Sequence, residues 1–114
     1  MPKFDYDINS LIGTWDVTHI RGESGGYFSI KIPPVSDYFD ETFIILNSNN
    51  TYVLDGWYGS LSGEYKADGK SVLLYDNNML AAKCAISSMI DGHMEATITI
   101  METMFTSDMK LLKR

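Results

Sequence analysis

Cysteine is nearly absent from this chain. Cys84 stands alone, so no internal disulfide can form and the fold must be held by burial. That suits a reducing compartment, although small envelope proteins also do without disulfides. Histidine is scarce as well. His19 and His93 have no cysteine or acid at ligand spacing, which excludes a zinc site by pattern. No run of about 18 apolar residues occurs, so no membrane-spanning helix is expected. Basic residues are outnumbered nine to fifteen, and the formal net charge is -6. Such a surface repels phosphate backbones and anionic lipids, which argues against nucleic acid as a partner. Lys110, Lys113 and Arg114 are too few to reverse this.

Motifs of catalysis are also missing. There is no Gly-x-Ser-x-Gly and no phosphate loop. Asp5-x-Asp7-x-Asn9 opens like a calcium loop, but Ser10 stands where the sharp-turn glycine belongs and Asp16 where the bidentate glutamate belongs. Asp37, Asp40 and Glu41 cluster after two prolines and read as a solvated loop capping a strand. Asn49-Asn50-Thr51 has the form of a glycosylation sequon, and a hairpin turn accounts for it. The opening Met1-Pro2-Lys3-Phe4-Asp5-Tyr6-Asp7 lacks the basic start and apolar core of a secretion signal. As written, the chain reads as cytoplasmic, or as an envelope protein whose leader has been removed.

What is present is β structure. The 114 residues are 45% apolar and 21% charged, which suits one folded domain over residues 1–114. Asp7 is placed to cap a short helix over Ile8–Leu11, which Gly13 stops. A helix this short needs tertiary support, so Leu11 and Ile12 are expected to dock on a barrel end. Strand patterns follow over Gly13–Arg21, Glu41–Leu46, Thr51–Tyr58 and Leu61–Lys66. Four more run over Ser71–Tyr75, Met79–Ser88, His93–Met101 and Phe105–Leu112. In the first, Trp15, Val17 and His19 alternate onto one face. Gly56 marks a bulge, and the alanines of Met79–Ser88 also permit a helix there. Asn47 to Asn50, Asp68-Gly69, Asp76 to Asn78 and Asp91-Gly92 carry turn chemistry. Gly22 to Tyr38 is the longest irregular segment, partly extended from Tyr27 to Ile32 and broken by Pro33-Pro34. Eight strands joined by tight turns imply antiparallel neighbours able to close on themselves. The predicted fold is all-β: an eight-stranded antiparallel up-and-down barrel with a short N-terminal helical plug.

The order of elements, with Leu11-Ile12-Gly13-Thr14-Trp15, Pro34-x-x-x-x-x-Asp40, Asn50-Thr51-Tyr52 and Leu61-Ser62-Gly63-Glu64-Tyr65, resembles the lipocalin and wider calycin group. It is closest to the short lipocalin-like domains of Bacteroidetes proteins, and the resemblance covers essentially the whole chain. It implies that Gly13 and Trp15 form the structural motif closing the barrel. It also implies that a basic residue near the last strand, Lys110, Lys113 or Arg114, packs across Trp15.

The functional expectation is binding without catalysis and without a cofactor or metal. A small, mostly apolar molecule would lie in the barrel, gated by the Gly22–Tyr38 loop. Tyr27, Trp57, Tyr58, Tyr65, Tyr75 and His19 are the candidate ligand contacts, since aromatic walls with a few hydroxyls suit small-molecule sites. The alternative is an interaction module whose barrel is filled by its own side chains and whose partner meets an exposed patch around Trp57. An isomerase or dehydratase of calycin type would need His19 and a carboxylate to converge in the cavity. Cys84 and the late methionines (Met79, Met89, Met94, Met101, Met104, Met109) read as core filling. Nothing in the residues fixes an oligomeric state.

Overall fold

The computed structural model describes residues 3–21, 25–39, 41–56 and 59–114. Asp7 begins the helix α1 (Ile8–Leu11) by accepting a hydrogen bond from the Asn9 backbone N–H, which satisfies a donor that the first turn would leave free. Strands follow as β1 (Gly13–Arg21), β2 (Tyr27–Ser29), β3 (Phe43–Leu46), β4 (Thr51–Gly56) and β5 (Gly59–Asp68). The rest are β6 (Ser71–Asp76), β7 (Met79–Ile90), β8 (His93–Ile100) and β9 (Phe105–Lys113). From β3 to β9 each strand pairs antiparallel with the next, and β1 closes the ring between β3 and β9. Trp15 lies opposite Lys113, and Ile20 opposite Met109. The result is a closed eight-stranded antiparallel barrel plus one extra strand, β2.

Turn chemistry explains the hairpins. Asn77-Asn78 and Asp91-Gly92 hold positive φ at both positions of two-residue connections, the backbone that twisted hairpins require. In β7 the alternation decides against helix. Ala82, Cys84 and Ile86 are buried while Lys83, Ala85 and Ser87 are exposed, a period of two that overrides alanine's helix propensity.

One expectation is sharpened and one corrected. The segment from Tyr27 is a true strand: it pairs Ile20 with Phe28, using the edge of β1 that pairs lower down with β3. The alternation of β1 slips at a bulge between Val17 and His19, because an extra residue on one strand exchanges its faces beyond that point. Trp15 and Val17 face the core as expected. Beyond the bulge Ile20 takes the inward place and His19 does not. β4 is described as far as Gly56; Trp57 and Tyr58, the remainder of the expected third strand, lie outside the described residues, as does Asp40.

The α1 end of the barrel is closed by named contacts. The Trp15 indole N–H donates to the Leu11 carbonyl at 2.8 Å. Lys113 passes over the indole, its ammonium 5.7 Å from the ring centre, and donates to the Ser10 carbonyl at 2.9 Å. Of the three basic candidates, then, Lys113 packs on Trp15. The route leaves no room for a side chain at Gly13, where a Cβ would come within 2.6 Å of Lys113 Cε at a φ of +142°. A second clasp lies outside the barrel wall. Arg114 reaches both carboxylate oxygens of Asp16, at 2.9 and 2.8 Å, and Glu41 at 2.6 Å.

Candidate functional site

Inside the barrel, side chains leave a residual cavity of about 10 Å³ between Trp15, Leu74, Cys84, Met94 and Met109. That is about the space of one water molecule. Its lining is entirely apolar. Burial pushes the Cys84 thiol up to about 12, so at neutral pH it is protonated and poorly nucleophilic.

One interior residue was not singled out by sequence reasoning. Tyr52 is 1% exposed, and its hydroxyl has no hydrogen-bond partner among the described residues. Burial pushes its pKa up, with Asp76 and Cys84 adding to the effect. The available signal was its inward phase with Leu54, two residues on.

The described candidate ligand contacts do not converge on the cavity. They divide between two flanks. Tyr27 lies between two cations outside the seam of β1 and β9, with Arg21 and Lys110 at 4.7 and 4.6 Å from its ring centre. His19 pairs with Lys110 across this seam, and its Nδ1 is 2.9 Å from Thr18 Oγ1. With His93 and Glu95 they edge a shallow depression of about 370 Å³. His19 therefore has no carboxylate meeting it within the barrel cavity.

Tyr65 and Tyr75 come together on the other flank. Tyr65 is buried and donates to the Asn47 carbonyl at 2.8 Å. Tyr75 lies half-buried on β6, with the Lys66 ammonium 5.5 Å from its ring centre. Both border a groove of about 640 Å³, together with Phe4, Ile8, Asn50, Glu64 and Asn78. A second depression of about 290 Å³ continues it, sharing Glu64, Tyr75 and Asn78 and adding Asn77. Gly63 sets this geometry. A Cβ there would fall on the Tyr75 carbonyl oxygen, so only glycine lets β5 lie so close under Tyr75.

Trp57 and Tyr58 lie outside the described residues, so the patch expected around Trp57 does too. The acidic cluster is dispersed: Asp37 sits exposed in a 3-10 turn over Val35–Asp37, and Glu41 is bonded to Arg114. Among the described residues no group of three or more His, Cys, Asp or Glu side chains is arranged to hold a metal ion. No described helix is long and apolar enough to cross a membrane.

Comparison with known proteins finds no matching family model, no matching curated protein and no matching solved structure.

Proposed function

We propose that this chain is a non-catalytic binding module in which the barrel is a filled scaffold and recognition takes place on its outer face. The observation that carries this reading is the interior of about 10 Å³, against roughly 300–1,000 Å³ for ordinary ligand sites. An eight-stranded barrel is just wide enough for its own side chains to fill. The outer grooves, in contrast, combine aromatic and polar side chains. The contact of Lys113 with Trp15 supports kinship with lipocalin-like domains, and that kinship is compatible with a filled barrel. Native mass spectrometry beside the denatured mass tests the reading. The expected result is one mass in both states, unchanged after incubation with a fatty acid. Retained mass that disappears on denaturation would overturn it.

A second reading has one specific support. The cavity lining is wholly apolar and includes Met94 and Met109, whose flexible thioethers adapt to irregular shapes. Burial of a small apolar molecule inside the barrel would require those side chains to turn aside. The same mass measurement separates the two readings.

A further inference from the structure

We infer that the groove over β5 and β6 is a binding site for a neutral oligosaccharide, with Tyr75 as its platform. This rests on the reading that recognition lies on the outer face.

The argument begins with unused polar groups. Among the described residues, the side chains of Asn50, Glu64, Asn77 and Asn78 make no hydrogen bond or ion pair, yet all four border one continuous concavity. Turn geometry accounts for asparagine at positions 50, 77 and 78, all of positive φ. Asn77 and Asn78 stand beside Tyr75 because they follow it in the turn after β6, whereas Asn50, from the turn before β4, and Glu64, on β5, are brought to the same concavity by strand pairing. The two joined depressions, about 640 and 290 Å³, fall at or near the size range of ligand sites.

The chemistry then selects the ligand. Glu64 and Lys66 carry opposite charges, so the groove favours neither a polyanion nor a polycation. The amides offer donors and acceptors together. The Tyr75 ring offers an apolar surface. A sugar ring meets all three conditions: it is neutral, ringed with hydroxyls that both donate and accept, and carries C–H bonds on its faces. The concavity continues past Tyr75 from the Asn50 side to Asn77, which suits more than one such ring. A peptide is disfavoured because β5 is paired on both sides, with β4 and β6, leaving no strand edge to extend. A phosphate-bearing chain meets a protein of net charge -6 and a single groove lysine.

The site is also fixed in advance. Glu64, Lys66 and Tyr75 stand on paired strands held close by Gly63, and Asn77 and Asn78 stand in a two-residue turn. Little ordering is therefore needed on binding.

The test is a titration of the isotope-labelled full chain with neutral oligosaccharides of glucose, xylose, mannose and N-acetylglucosamine, about four to six units long, followed by amide NMR. The expected result is saturable shifts confined to Glu64, Lys66, Tyr75, Asn77 and Asn78 with at least one sugar. Tyr75→Ala should weaken that binding about ten-fold or more, and Asn78→Ala several-fold. Asn78→Ala also serves should Tyr75→Ala fail to fold. No saturable shift up to about 10 mM, or binding indifferent to the groove variants, would overturn the inference. A fatty acid that shifts Leu74, Met94 and Met109 would instead overturn the filled-scaffold reading, so the two failures are distinguishable.

Discussion

The inner and outer faces of the same strands differ in how far their side chains are committed to one another. On β6, Val72 and Leu74 face the core, while Tyr75, with Glu64 and Lys66 on β5, faces the groove. Inside, nearly every atom has a neighbour, and room for a guest has been closed off by close packing. Outside, polar groups are left uncommitted around one ring. The lesson is that a closed barrel need not be a container. Its strands can act as a rigid frame that fixes the spacing of side chains on the outer wall.

The largest expected effect lies inside. Trp15→Ala removes the residue that closes the α1 end and leaves Leu11 and Lys113 without their partner. It should cost about 3–5 kcal/mol in urea unfolding. A loss below about 1 kcal/mol would mean that the closed end is not a keystone of the core. Gly63→Ala and Gly13→Ala come next, and their order is informative. Both glycines hold positive φ, but the new Cβ at position 63 meets a backbone carbonyl, whereas at position 13 it meets the flexible end of Lys113. Gly63→Ala should cost about 2–4 kcal/mol and Gly13→Ala about 1–2. The reverse order would contradict the assigned contacts.

How far this division was legible in the sequence depends on how local each feature is. The bounds of α1 and β1 follow from Asp7, Gly13 and alternation, and the observed elements match them. The hairpins follow from their Asn and Gly residues. The bulge after Val17 was hidden, because its cause is the pairing of β1 with β9, about ninety residues away in sequence. The same slip moved His19 off the core face. The choice of Lys113 over Lys110 depends on inward and outward phase at a closure that only the assembled ring defines. The filling of the interior is less local still, since it depends on how some ten side chains from several strands fit together. For the candidate site, aromatic content pointed to Tyr65 and Tyr75. Nothing in the one-dimensional order set them on a flank opposite Tyr27 and His19.

A smaller effect concerns pH. The Arg114 hydrogen bond, assisted by Lys31, holds the Asp16 carboxyl below its ordinary value, against the opposing effect of burial. The lowered native value means that this stabilisation is present above the unfolded pKa of about 3.9. It is lost as pH falls through the still lower native value. Asp16→Asn should flatten that acid limb of the stability curve, at a cost of about 0.5–1 kcal/mol at neutral pH, since Arg114 is half exposed. An unchanged limb would assign the acid sensitivity elsewhere. The smallest stability effect belongs to the outer wall. Tyr75→Ala should lower stability by less than about 1 kcal/mol while weakening the proposed saccharide binding about ten-fold or more. A large destabilisation would make Tyr75 part of the frame and erase the contrast between the faces.

The central claim is that the barrel is full, and methionine methyl NMR tests it most directly. Met94 and Met109 lie in the core, whereas Met79 and Met104 are exposed, so one spectrum reads both faces. With lauric acid added, the account predicts no saturable shift at Met94 or Met109, whatever happens at the exposed pair. Saturable shifts at the two core methyls would show a guest inside the barrel and contradict it.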